Sequence, residues 1–167
     1  TSNLGADVTT SSTQTYSGAV TLSGADRTLT GSTVNFGSTL AGGTNGLIIT
    51  GILDLDGAAT NLSTLSVSTT SNLGADVTTS STQTYSGAVT LSGADRTLTG
   101  STVNFGSTLA GGTNGLIITG ILDLDGAATN LSTLSVSTTS NLGADVTTSS
   151  TQTYSGAVTL SGADRTL

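Results

Sequence analysis

Tyr16-Ser17-Gly18, Phe36-Gly37 and Leu55-Asp56-Gly57 each set a large side chain just ahead of a glycine, at intervals of 20 and 19 residues. Thr30-Gly31 and Thr50-Gly51 repeat the spacing of 20. Between these marks run short alternating segments: Val20-Thr21-Leu22, Val34-Asn35-Phe36, Leu53-Asp54-Leu55 and Leu65-Ser66-Val67. Apolar and polar residues that alternate over so few positions read as half-buried strands. Turn formers such as Gly42-Gly43 and Asn45-Gly46 separate them. No stretch holds a three-to-four-residue apolar period, and β-branched Thr, Val and Ile dominate, so helices are not expected. Short strands and glycine turns returning about every 20 residues are the pattern of a solenoid coil.

A longer identity encloses this short one. Thr1-Ser2-Asn3-Leu4-Gly5-Ala6-Asp7-Val8 recurs from Thr70 and again from Thr139, an offset of 69 residues each time. Residues 1–69 and 70–138 match letter for letter, and 139–167 repeats the opening. The chain is therefore read as one all-β array over 1–167, a parallel β-solenoid of roughly 20 residues per coil. Three to three and a half coils per repeat, about 4.8 Å apart, give a rise of about 14–17 Å. The 30-residue interval from Leu55 to Tyr85 does not fit the short period. It calls for an added strand, a lateral excursion or half a coil.

One coil cannot bury its own apolar side, but stacked coils share a continuous interior and pair every strand. Val20, Leu22, Leu29, Val34, Leu40, Ile49, Leu53, Leu55, Leu65 and Val67 are the expected core. Thr and Ser between them face water, and Tyr16 and Phe36 cap or fill the interior. Leu53 and Leu55 inside require Asp54 and Asp56 outside, because a slip of one residue exchanges the faces.

Composition narrows the function. The chain has ten Asp, three Arg and no Lys, Glu, His or Cys, for a net charge of −7. One Arg per repeat cannot form a phosphate-binding surface, which excludes nucleic acid. The longest apolar run, near Leu47-Ile48-Ile49, is far too short to span a membrane. General acid–base chemistry would rest on Asp alone, and exact repetition would copy any active site every 69 residues. An enzyme is not expected. The absence of Cys rules out a disulfide framework and is compatible with export of an unfolded chain.

The run Thr13-Gln14-Thr15-Tyr16-Ser17-Gly18-Ala19-Val20-Thr21-Leu22, followed by Arg27-Thr28-Leu29-Thr30-Gly31-Ser32-Thr33-Val34-Asn35-Phe36, resembles the repeats of giant bacterial adhesins. These are the filamentous-haemagglutinin-like and autotransporter-like surface proteins. The resemblance implies a right-handed parallel β-helix, secretion to the cell surface, and a role in adhesion or filament building. Its unbroken identity between repeats departs from that family.

Asp54 and Asp56, with their copies Asp123 and Asp125, are the candidate calcium ligands, since i and i+2 on a strand project to one side. Two carboxylates fall short of the usual six to eight oxygens, and a solvated pair is the simpler reading. No other cofactor is indicated. Asp26-Arg27 reads as an exposed ion pair, or Arg27 reaches a carboxylate on the next coil. Thr13-Gln14-Thr15 and Thr28-Leu29-Thr30 would order water only if such pairs stood in vertical registry. Asn61-Leu62-Ser63 and Asn130-Leu131-Ser132 fit the N-glycosylation pattern, which arises easily by chance in a Ser- and Thr-rich chain.

These features point to the shaft of an extracellular adhesin or filament. A solenoid that binds ice, carbohydrate or calcium is the alternative, as is a consensus-designed scaffold. The expected partners are neighbouring copies or repeats stacked end to end, with host or cell-surface glycans as possible ligands of an adhesive surface. Neither end carries the polar, atypical coil that shields a solenoid terminus, so the expectation is a window on a longer array.

Overall fold

The computed structural model describes residues 1–167 and contains 22 strands and no helix. Every strand pairing is parallel and joins one coil to the next, so the chain is a β-solenoid of about eight turns with about 19 residues per turn. One row of paired residues shows the winding: Val8, Leu29, Ile49, Val67, Tyr85, Phe105, Leu124, Leu142 and Leu160 lie over one another. The marks that set the short period in the sequence are in register. Tyr16 pairs with Phe36, Phe36 with Leu55, and Thr30 with Thr50.

Each coil has three strand segments, giving three faces. Ser2–Leu4 opens the first face, Val8–Thr9 the second and Gln14–Tyr16 the third. The strands Arg27–Phe36 and Leu47–Leu55 each serve two faces and turn the corner between them at glycine. At that corner Gly51 has φ +140°, and a Cβ there would overlap the carbonyl oxygen of Gly31 on the coil below. Backbone meets backbone at this edge of the prism, and only glycine leaves room.

The repeat and the coil do not divide evenly, and this resolves the 30-residue interval. At about 19 residues per turn, 69 residues make about three and two-thirds turns. The expected three to three and a half coils were too few, and the rise becomes about 18 Å. Val8 lies in the row of Leu29, but its copy Val77 lies between Ala59 and Leu98, and Val146 pairs with Ala128. Each copy of the repeat therefore begins on a different face. From Leu55 to Tyr85 the chain winds one coil to Leu73 and about two-thirds of another.

The interior is one continuous apolar core. All ten residues expected there are buried, each at 2% exposure or less. Phe36 and Phe105 are fully buried as well, stacked on Tyr16 and Tyr85 with ring centroids 5.3 and 5.5 Å apart. Leu53 and Leu55 face inward, Asp54 is half-buried on the outer side and Asp56 is exposed. The alternation therefore sets the register as the pleat requires.

Not every polar residue faces out. Gln14, Ser71, Thr79, Gln83 and Ser140 are buried. Ile48, Ile52, Ile117 and Ile121 instead stand on the surface at 40–45% exposure. In Leu47-Ile48-Ile49-Thr50 alternation places Leu47 and Ile49 inside, so Ile48 takes the outer position despite its side chain.

Candidate functional site

The carboxylates are the chain's only acidic groups, and the coil spacing decides what they meet. Asn35, Asp54 and Asn72 stand over one another on three successive coils. Asn35 Nδ2 donates to Asp54 Oδ2 at 2.7 Å, and Asn72 Nδ2 donates to Asp54 Oδ1 at 2.9 Å. Asn104, Asp123 and Asn141 repeat the arrangement at 2.9 Å on both sides. Both oxygens of Asp54 thus accept from amide donors, which a bound cation would have to displace. Asp56 lies exposed beside this ladder, 3.5 Å from Asn35 Nδ2. Nowhere do three His, Cys, Asp or Glu residues gather, so Asp54 with Asp56, and Asp123 with Asp125, acquire no third carboxylate.

Other carboxylates hold backbone N–H groups across coils. Asp7 Oδ1 accepts from Thr28 N at 3.0 Å, Asp76 from Thr97 N at 2.9 Å and Asp145 from Thr166 N at 3.0 Å. Asp26 Oδ1 accepts from Gly46 N at 2.6 Å, and Asp95 from Gly115 N at 2.7 Å. The partner of Asp26 is therefore a glycine amide on the next coil and not Arg27. The Arg27 guanidinium donates to the carbonyls of Leu4 and Ser23. One ion pair forms, Arg96 to Asp76 at 3.8 Å, and it joins adjacent coils. With Asp76 half-exposed, such a pair contributes under about 1 kcal/mol.

A second polar system lies inside. Gln83 is fully buried, and its Nε2 donates to Val77 O at 3.3 Å and Thr99 O at 2.8 Å. Its Oε1 accepts from the Tyr85 hydroxyl at 3.0 Å. Both polar ends of the amide are thus occupied, as burial demands. Burial pushes the Tyr85 hydroxyl well above its ordinary value of 10.0, so it remains a donor. Gln14 with Tyr16 and Gln152 with Tyr154 repeat the motif. Sequence reasoning passed over these glutamines. The signal was present in Gln-x-Tyr, since i and i+2 share a face and an inward tyrosine brings glutamine in with it.

Threonine pairs do not form a continuous double ladder. Thr9, Thr30 and Thr50 stand in one row, but beside them the neighbours of Thr28 are Asp7 and Ile48. Thr15 is followed in its row by Asn35 and Asp54. The surface is a changing mixture of Thr, Asn, Asp, Ser and Ile.

One concavity recurs on this surface. A recess of about 160 Å³ is lined by Thr44, Asn61, Leu62, Thr78, Thr79 and Ser80. Its copy, about 180 Å³, is lined by Thr113, Asn130, Leu131, Thr147, Thr148 and Ser149. It arises from a bulge. Ala59 pairs with Val77 and Leu62 with Thr79, which leaves one extra residue in the lower strand. Thr44 and Asn61 take the left-handed backbone there, with φ +72° and +53°. Hydroxyls, an amide and one leucine line the recess, with no charge and no aromatic ring.

Comparison of the chain with protein-family models, curated proteins and solved structures finds no match. No helix is long and apolar enough to cross a membrane. Chemically, the polar groups described here clamp one coil to the next.

Proposed function

We propose that the chain is shaft material, a stretch of an extended, non-catalytic rod in a bacterial cell-surface adhesin or filament. The observation that carries this reading is the unbroken register across the boundary between repeats. Ser71, Asn72 and Leu73, early in the second copy, pair below with Leu53–Leu55 of the first and above with Val89–Leu91. The boundary has the same hydrogen-bonded rows and the same core as the middle of a repeat. An added repeat therefore adds length without a hinge, and stability grows as a sum over neighbouring coils.

The hydroxyl-rich, sparsely charged surface is compatible with an extracellular setting, and the adhesin-like runs at Thr13–Leu22 and Arg27–Phe36 support the surface location. The partners in this reading are further repeats or copies stacked end to end, with host or cell-surface glycans as ligands of any adhesive surface. The work of the shaft is to hold distance.

Arrays of two, four and eight repeats imaged by electron microscopy test the proposal, together with antibody labelling of intact source cells. Rods should lengthen by about 18 Å per repeat and the label should decorate the cell exterior. Lengths that fail to scale with repeat number, or label reaching the repeat only after lysis, would contradict it.

A further inference from the structure

The asparagines of the chain divide into those the fold uses and those it does not. Of nine asparagines, Asn35, Asn72, Asn104 and Asn141 donate their amides to Asp54 or Asp123. Asn45 and Asn114 donate to the carbonyls of Gly42 and Gly111, both at 3.0 Å. Asn3, in the first coil, is also exposed and makes no side-chain hydrogen bond, but its copies Asn72 and Asn141 are among the users. Asn61 and Asn130 are left, exposed and with side chains that make no hydrogen bond to the chain. They are also the only two asparagines followed two places later by Ser or Thr, namely Ser63 and Ser132.

The left-handed φ at the bulge accounts for an asparagine at position 61, because that residue type tolerates it. It does not account for the serine at 63. The Ser63 N–H donates to Asn45 O at 3.0 Å and its carbonyl accepts from Ser81 N, while the hydroxyl bonds to no other residue. Asn61 and Thr60 together face Thr78 across the bulge, and the Asn61 carbonyl accepts from Thr44 N at 2.8 Å. The Asn61 side chain takes no part in the pairing, so a bulky group on its amide would not separate coils. The recess beside it is uncharged and offers the exposed side chains of Thr44 and Thr78, while Thr79 at its base is buried with its hydroxyl donated to Ser81 O.

From these observations we infer that Asn61 and Asn130 are N-glycosylation sites, displayed on the bulge, with the first sugar seated in the adjoining recess. This inference goes beyond the shaft reading and does not depend on it. The donor is an activated sugar, a nucleotide- or lipid-linked glycosyl diphosphate or monophosphate. Asn61 Nδ2 forms a bond to the anomeric carbon as the bond from that carbon to the phosphate oxygen breaks. The phosphate leaves with the electron pair, and the amide proton passes to a base of the transferase. No oxidant or reductant is needed. Successive copies begin on different faces about 18 Å apart along the axis, so the glycans would surround the rod.

The test incubates the folded chain with an N-glycosyltransferase that reads Asn-x-Ser/Thr, together with its nucleotide-sugar donor, and follows intact mass. Two additions are expected, one lost in Asn61→Gln and both lost in Asn61→Gln with Asn130→Gln. Gly37→Ser provides the comparison. It creates the acceptor pattern at Asn35, whose amide is held by Asp54, and a Cβ at Gly37 meets no atom nearer than 3.7 Å. Asn35 should stay unmodified in the folded variant. The glycosylated chain should melt within about 2 °C of the unmodified one, less than loss of one hydrogen bond would cause. The inference is overturned by any of three results: no addition while a control acceptor peptide is modified, equal modification of Asn35 and Asn61, or a large fall in melting temperature on modification.

Discussion

Val89 and Leu91 are the same residues of the repeat as Val158 and Leu160, one copy apart, yet the first two are 1% exposed and the second two are 39% and 52% exposed. The sequence on either side is identical as far as Leu167. What differs is the coil above. Val89 pairs with Ser71 below and Leu109 above, whereas Val158 pairs only with Ser140 below. The tyrosines show the same contrast, with Tyr85 fully buried and Tyr16 and Tyr154 partly so. In this fold a residue is buried by its vertical neighbours and not by its sequence neighbours.

The largest expected effect is a charge placed in the two environments. Leu55→Asp, between Phe36 and Leu73, should cost several kcal/mol, since it combines a core lesion with a buried carboxylate. Leu160→Asp should cost under about 1 kcal/mol, the range of exposed substitutions. Denaturant melts of the two variants check this, and equal losses would break the comparison.

Next in size is the buried phenol. Tyr85→Phe leaves Gln83 Oε1 without its donor and should cost about 1–3 kcal/mol, with Tyr154→Phe costing less. The same group sets an alkaline limit. Burial raises the folded-state value of Tyr85 above 10.0, so the folded chain keeps a proton that the unfolded chain releases. Its contribution to stability is intact below pH 10.0 and declines as pH rises further. Melts at rising pH should show that decline, and Tyr85→Phe should lessen it, leaving the smaller part due to the partly buried Tyr16 and Tyr154.

The surface ladder should matter less. Asp54→Ala removes the acceptor of two amides and should cost about 1–2 kcal/mol, whereas Asp56→Ala, exposed beside it, should stay within about 0.5 kcal/mol. The smallest change concerns Ser71, whose buried hydroxyl has no hydrogen-bond partner between Leu53 and Val89. Ser71→Ala should be neutral or stabilising by up to about 1 kcal/mol. A clear loss of stability would show that the hydroxyl has a partner after all.

Much of this was legible before the structure. The 20-residue spacing of Tyr16, Phe36 and the Thr-Gly pairs was the coil itself, because residues one coil apart stand over one another, Tyr16 with Phe36 and Thr30 with Thr50. Alternation at Leu53–Asp56 was enough to orient both carboxylates. The 30-residue interval left an added strand, a lateral excursion and half a coil all open, and the part-coil reading is nearest to what is found. The interval is a whole coil and part of another, which a linear spacing cannot reveal without knowing that there are three faces. Most partners of the aspartates were hidden, although an arginine reaching a carboxylate on an adjacent coil, one of the two readings of the Asp-Arg pair, is what Arg96 and Asp76 show. Asp26 stands beside Arg27 in sequence, but at about 4.8 Å spacing the next coil is as close as the next residue, and the Gly46 amide takes the carboxylate. Gln83 was missed because a polar residue in a Thr- and Ser-rich strand looks like surface, and only its pairing with Tyr85 turns it inward.

The central claim is that the 69-residue repeat is a screw step of about three and two-thirds coils in an unbroken stack. Helical reconstruction from electron micrographs of a long array measures that step directly. The account predicts a rise of about 18 Å and a rotation of about 120° in magnitude from one repeat to the next. A rotation near zero, with every copy of the repeat on the same face, would contradict it.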